Sequence, residues 1–455
     1  MGGERLGRIP RRTIVAAILR RRPHELLEET ARRFPRVAEL GGRGALQGYL
    51  ISDPEIVRSV VVGQAHRLRK GRGLQRARTL LGDGLLTSEG EVWRRQRRLI
   101  QPVFHREVVN GYVGRIVDAT DEHMWRWQDG QRIELATHMS ALTLDIVGST
   151  LFGDDIGGHA TDVRTGLDAV MARSRTLILP GSQLLDRLPL PSVVRARNAI
   201  EQLDGVVGAI IERRRRRDPT SVHKDRGVDV LDLLLAAGQE SEHAAMGDRQ
   251  VRDEVMTLML AGHETTAMAL TWTWWLLSRH PAAGEALRAE LAARVGDRRA
   301  TAADLPRLAT TRATVAESMR LYPPAWLFAR QALDTVDIDG HQAPPGSLAV
   351  VCTWAQHRDP RWWAEPTSFR PQRWLDRDGR FDESAPGQPR DAYIPFGMGQ
   401  RICIGRELAW TEAMLVLATV APHWRIDVPP GHVPHPDPAI TMRPLGGMPA
   451  TVRRR

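Results

Sequence analysis

The stretch Phe396-Gly397-Met398-Gly399-Gln400-Arg401-Ile402-Cys403-Ile404-Gly405 is a glycine-rich loop that delivers one cysteine to the start of a helix. The first backbone N–H groups of a helix have no internal partners, and with the helix dipole they favour a thiolate at Cys403. A thiolate so placed can ligate a metal. As a nucleotide site the loop fails, because Ile402 stands where a dinucleotide fingerprint wants glycine. A second cluster, Ala261-Gly262-His263-Glu264-Thr265-Thr266, sets an acid beside hydroxyls within a long apolar segment, an arrangement able to conduct protons. It suits a zinc protease poorly, since Ala267 occupies the place of the second histidine. Glu317 and Arg320 lie three apart and share a helix face, close enough to pair, and Trp93 and Arg97 stand one turn apart.

The elements that must position these residues are mostly helical. Ser192 to Arg217 and Asp248 to His280 carry apolar residues at helical spacing. The second runs about thirty residues, roughly 45 Å, and ends at Pro281, with Gly262 a point weak enough to bend. A helix over Thr311 to Leu321 is stopped by Pro323 and Pro324. Thr335 to Ile338 and Leu348 to Cys352 read as strands, joined by the hairpin chemistry of Asp339-Gly340. Asp376 to Ala392 reads as a surface loop, and the last helix spans about Arg406 to Val420. The expected fold class is mainly α with a minor β region, in one domain over residues 45–455. Residues 1–44 are set apart as an unassigned N-terminal segment.

With 455 residues, 42% hydrophobic and 26% charged, the chain can bury a sizeable core and is neither fibrous nor disordered. Two cysteines, Cys352 and Cys403, cannot build a disulfide framework and suit a reducing compartment. The net charge of +10 does not mark a nucleic-acid partner. Only Lys70 and Lys224 are lysines, and the arginines are scattered and interleaved with acids. The densest run, Arg213 to Arg217, has no aromatic residue to stack on a base. No stretch reads as a signal peptide or membrane span, because Thr13 to Leu19 is too short and the longest apolar region is interrupted by His263 and Glu264. The expected location is cytoplasmic.

Phe396, Gly399, Arg401, Cys403 and Gly405 match the haem-binding loop of the cytochrome P-450 monooxygenases at each fixed position, and the chain resembles that family over roughly residues 45 to 447. The resemblance implies the P-450 fold, with a long central helix over haem b and Cys403 as axial iron ligand, its thiolate pushing electron density onto the metal. It implies that Gly262 opens the central helix beside the haem, that Ala261 is a cofactor-binding residue there, that Thr265 hydrogen-bonds the bound dioxygen, and that Glu264 connects it to solvent for protonation. Trp93, Arg97, Arg330 and Arg401 resemble the usual partners of the haem propionates. Glu317, Arg320 and Arg373 resemble the structural triad that locks the loop before the cysteine.

The activity implied is oxidation of a lipophilic small molecule, hydroxylating or epoxidising it with O2, and a terpenoid is the first expectation. The chain has no room for flavin domains, so electrons come from a separate ferredoxin or flavodoxin with its reductase. The alternatives are a fatty-acid or polyketide hydroxylase of the same family, a peroxide-driven enzyme on the same fold, and a non-enzymatic haem-binding sensor or carrier. Substrate choice is placed on Leu68 to Leu86, Val163 to Leu190, Ala261, Pro324 to Phe328 and Met442 to Gly446, with Trp326, Leu327 and Phe328 suggesting a greasy pocket.

Overall fold

A computed structural model describes residues 6–42, 47–153, 190–216, 229–237, 247–384 and 391–455, together with positions 163, 165, 166, 169, 387 and 389. The helices that frame the site are α1 (Arg11–Leu19), α2 (Pro23–Arg33), α3 (Arg72–Leu81), α4 (Gly90–Ile100), α5 (Val113–Trp125), α6 (Leu135–Leu151), α7 (Pro191–Arg215), α8 (Asp248–Arg279), α9 (Ala309–Leu321) and α10 (Arg406–Val420). The strands are β1 (Gly7–Ile9), β2 (Val37–Gly41), β3 (Gln47–Ile51), β4 (Leu68–Lys70), β5 (Arg132–Glu134), β6 (Phe328–Ala332), β7 (Val336–Ile338), β8 (His341–Ala343), β9 (Leu348–Val351), β10 (Trp424–Asp427), β11 (His435–Pro438), β12 (Met442–Leu445) and β13 (Pro449–Arg454). Helix dominates, and among the described residues no helix is long and apolar enough to cross a membrane.

Helix α8 is buried on nearly all sides from Val251 to Leu277, which is what an apolar pattern without a polar face demands. It packs against α6, α9 and α10. Gly262 serves that packing: a Cβ there would come within 2.9 Å of Val147 Cγ2 on α6. The bend expected at this glycine is not a break, for α8 runs helical from Asp248 to Arg279. Instead, three successive carbonyls carry an extra hydroxyl donor. Thr265 Oγ1 donates to Ala261 at 2.8 Å, Thr266 Oγ1 to Gly262 at 3.2 Å and Thr143 Oγ1 to His263 at 2.9 Å.

The main sheet has the strand order β1-β2-β3-β9-β6-β4. Residues ahead of the expected boundary at 44 are part of it, because β1 pairs with β2 and β2 with β3. The antiparallel β4–β6 pair sets Lys70 opposite Arg330. The hairpin turn at Asp339-Gly340 forms as expected, both residues taking positive φ, 55° and 81°. Its second strand is β8, however, not Leu348 to Cys352: β7 pairs with β8, while β9 crosses into the main sheet between β3 and β6. Leu348 to Val351 is apolar enough to be buried on both faces, and a central position in the larger sheet supplies that.

Candidate active site

Cys403 sits in the turn that enters α10. Its N–H donates to the Phe396 carbonyl at 2.9 Å, closing the loop, and Gly397 and Gly399 both take φ of 69°, a conformation side chains resist. A Cβ on Gly399 would meet Val62 Cγ2 at 3.2 Å, and one on Gly405 would lie 4.0 Å from the Cys403 sulfur. The side chain is open to solvent yet crowded by protein, the situation of a group at the floor of a deep recess. Burial pushes the thiol above its ordinary value, against the Gly405 N–H, Arg97 and Arg406, which pull it down. The helix N-terminus alone therefore does not produce the thiolate; the charge of a bound metal completes the condition.

Beside this loop lies a cluster of cations. Trp93, buried on α4, carries the Arg401 guanidinium over its ring at 3.7 Å and that of Arg97 at 5.8 Å. Arg97 Nη1 donates to the Ile402 carbonyl at 2.9 Å, tying α4 to the cysteine loop. Arg330 is buried on β6, and among the described residues its acceptor is the Ala329 carbonyl at 3.1 Å. Burial, then Arg401, lower its pKa to about 10, which Glu89 partly offsets. Sequence reasoning missed two members of this cluster. Lys70 on β4 is buried, its Nζ donating to the carbonyls of Leu85 at 2.8 Å and Ser88 at 2.6 Å. Glu89 accepts from the Lys70 N–H at 2.6 Å and from Arg401. The one usable signal was compositional, a lysine kept in a chain that otherwise uses arginine.

Three guanidiniums stand near one carboxylate together with Lys70, whose ammonium burial and then Arg401 lower to about 7, so positive charge is in excess in a poorly solvated place, and Arg401 Nη1 is buried without a partner among the described residues. An anionic group bearing two carboxylates would satisfy that excess, so the residues present fit a haem: Cys403 would ligate the metal, and Arg97, Arg330 and Arg401, with Lys70 when protonated, would hold the propionates.

Behind the loop, Glu317 and Arg320 are fully buried on α9 and joined by two bonds of 2.8 Å. Glu317 also accepts from Arg373 Nε at 3.0 Å, Trp374 Nε1 at 2.9 Å and the Arg370 N–H at 2.9 Å. Arg320 donates onward to the carbonyls of His357 at 2.8 Å, Pro366 at 2.7 Å and Ser368 at 3.1 Å. His357 Nε2 then accepts the Ile394 N–H at 2.9 Å, two residues before Phe396. The expected triad thus lies together, and His357 and Trp374, which sequence reasoning did not single out, carry its hold to the loop.

The chain matches the family model for cytochrome P450 over residues 12–449. It belongs to the cytochrome P450 family. It is 37% identical over 404 residues to cyclooctatin synthase of Streptomyces melanosporofaciens, covering 88% of this chain and 86% of that protein. It is 34% identical to pentalenene oxygenase of Streptomyces avermitilis, covering 85% and 83%. The crystal structure of CYP175A1 from Thermus thermophilus superposes with a TM-score of 0.76 at 27% identity, over 98% of this chain and all of that one. A P450 carries haem iron and is a monooxygenase.

On α8 of this P450, Ala261 is exposed although most of its neighbours are buried, and Thr265 is half-buried one turn on. Glu264 departs from the role the resemblance implied. Its carboxylate is 2% exposed, accepting from Thr441 Oγ1 at 2.8 Å and from Arg443 Nε and Nη2 at 2.6 and 2.8 Å. Both oxygens are committed to the segment around β12, on a different side of α8 from Thr265. Glu264→Gln is expected to cost about 1–3 kcal/mol and lower Tm, read by calorimetry on the holoprotein. Trp326 and Met442 are likewise core and not pocket: Trp326 Nε1 donates to the Ala439 carbonyl at 2.9 Å, and the Met442 carbonyl accepts from Trp272 Nε1 at 2.8 Å. The expected substrate segment Val163 to Leu190 lies almost wholly outside the described residues.

Proposed function

We propose that this P450 oxidises a cyclic terpenoid, inserting one atom of O2 into a C–H or C=C bond, with haem b as its cofactor, a separate ferredoxin or flavodoxin and its reductase as electron donor, and the cytoplasm as its compartment. The single observation that carries the substrate class is the similarity to relatives named for terpenoid chemistry: cyclooctatin synthase, cyclooctat-9-en-7-ol 5-monooxygenase at 33% identity, and pentalenene oxygenase. An apolar guest agrees with the exposed methyl that Ala261 presents beside Thr265 on α8.

When bound, the haem supplies the oxidising centre. The chain's own residues anchor it and manage protons and water. Cys403 would ligate the iron through Sγ and lend it electron density, and Arg97, Arg330, Arg401 and Lys70 would hold the haem carboxylates. Thr265 Oγ1, donating to the Ala261 carbonyl, keeps its lone pairs free toward the recess, so it can orient a water and pass a proton there. Thr265→Ala is expected to retain the haem but to divert roughly ten times more of the consumed oxygen into hydrogen peroxide, measured as the ratio of peroxide to product. Fully coupled turnover by that variant would remove Thr265 from the mechanism.

For electron delivery, Arg94, Arg95 and Arg98 are exposed on α4, the helix whose Arg97 touches the cysteine loop. An acidic carrier docking there loses rate as salt rises. The reading is tested by titrating the holoprotein with cyclooctat-9-en-7-ol and pentalenene, following the loss of iron-bound water as a spin-state change, then supplying a [2Fe–2S] ferredoxin and reductase. A terpene-induced change with salt-sensitive, reductase-dependent product supports it. Response only to fatty acids, or product from peroxide alone, would replace it.

A further inference from the structure

Glu264, the acid next to Thr265 in sequence, has both oxygens engaged by Thr441 and Arg443. A different carboxyl shares the Thr265 side of α8. Residues 254, 257, 261 and 265 follow at spacings of three, four and four, so Glu254, Thr257, Ala261 and Thr265 form one stripe along the helix. The stripe ends at the exposed Ala261 and at Thr265, the wall of the recess.

Its far end carries two unsatisfied polar atoms. Glu254 is 0% exposed; Oε2 accepts the Leu85 N–H at 2.8 Å, while Oε1 meets no donor within 3.5 Å among the described residues, the Gln96 side chain being the polar group close to the carboxyl. Thr257 is 2% exposed, and its Oγ1 is also unpartnered. That is anomalous within α8, because Thr265, Thr266, Thr271 and Thr273 each donate to the carbonyl four residues back. The Thr257 proton is thus uncommitted. The turn against it is built of glycine: a Cβ on Gly84 would stand 2.2 Å from Thr257 Oγ1, and one on Gly82 2.1 Å from the Asp253 carboxyl. Buried polar atoms left open one helical turn apart can act as stations of a proton relay, with about 12 Å of helix between Thr257 and Thr265 for water to bridge.

We propose that Glu254 and Thr257 are the proton entry to the active site, delivering through ordered water along this stripe to Thr265 Oγ1, while Glu264 holds the β12 segment. The proposal rests on the monooxygenase reading above. One proton leaves Glu254 Oε1, the Thr257 hydroxyl accepts it and releases its own to the next water toward Thr265, and Glu254 is reprotonated from solvent between turnovers. The groups facing Glu254 suit that duty. Burial pushes its carboxyl up to about 7, with Asp253 adding, while the Leu85 N–H, the Lys70 ammonium from β4 and Gln96 from α4 pull the other way. Near neutral pH it holds a proton it can also release.

The test has a spectroscopic arm and a turnover arm, both on holoprotein. In infrared difference titration, a protonated-carboxyl band should fade through about pH 7, be absent from Glu254→Gln, and move in Thr257→Val. The Glu412 carboxyl, held well above its ordinary value by burial, should give a second band, identified by its loss in Glu412→Gln. With pentalenene as probe, Glu254→Gln and Thr257→Val should raise the share of oxygen lost as peroxide roughly tenfold, and Thr257→Ser should restore coupling. A wild type lacking the band near pH 7, or a band that Thr257→Val leaves in place, overturns the path. So does coupling unchanged in both variants of a wild type that turns over. If wild type oxidises no terpene, the substrate reading fails instead, and the infrared arm still decides this one.

Discussion

Cys403→Ala is expected to leave a folded protein that has lost the thiolate signature altogether. The side chain contributes little to packing, since it opens onto the recess, and the loop's hydrogen bond uses the Cys403 backbone and not its sulfur. Gly397 and Gly399 keep the turn without it. The four basic residues that would hold the carboxylates are untouched, so some haem should remain bound, but with water or no axial ligand in place of sulfur. The reduced, carbon-monoxide-treated variant should therefore lack the red-displaced Soret band, and reductase-driven product should fall below detection. A variant that kept that band would move the ligand to another residue. Among the described residues Cys352 is the only other cysteine; burial holds its thiol at about 12, inside the core by α2 and Trp354, far too protonated to replace Cys403.

Arg320→Ala should have the next largest effect, acting on the fold. The guanidinium makes two bonds to Glu317 and three to main-chain carbonyls, all in a place without water. Removing it leaves an ionised carboxylate underpaired and three carbonyls stripped of donors, a loss of about 3–5 kcal/mol, which is a large part of a typical total of about 5–15. Lysine cannot repair this, because one ammonium cannot reproduce the fork that spans Glu317 and the loop. Urea unfolding of the holoprotein and the haem-to-protein ratio both read the effect, and wild-type values for either would show that the triad is decorative. The pH dependence follows from the same pair. Burial alone would raise the Glu317 carboxyl, yet Arg320, Arg373 and the Arg370 N–H hold it below its ordinary 4.5. A depressed carboxylate stabilises the fold above that value, and the contribution is lost as pH falls through the folded-state pKa.

Much of this was legible in the chain because the decisive features are local. The loop from Phe396 to Gly405, the helix Arg406–Val420 and the long helix from Asp248 each depend on glycine placement, proline stops and a period of 3.6, all properties of neighbouring residues. The Glu317–Arg320 pair was legible for the same reason, being one turn apart. What failed to read was whatever depends on which distant segment arrives. The turn at Asp339-Gly340 announced itself, but its partner strand did not, because turn chemistry specifies a reversal and the choice between β8 and β9 is made by sheet assembly.

The same division runs through the active site. Sequence alone determined the family and singled out the cysteine loop and the long helix as the segments to watch, since an ordered motif states its chemistry without reference to the rest of the molecule. Only the tertiary structure decided that Lys70 joins the cation cluster across the β4–β6 register, that Glu264 is spent on Arg443, and that one oxygen of Glu254 is taken by Leu85 while its other and the Thr257 hydroxyl find no hydrogen bond among the described residues. Charge and hydrogen-bonding capacity are properties of a residue, but whether they are satisfied is a property of what packs against it, and in these three cases the nearest relevant atoms lie at least fifteen residues away.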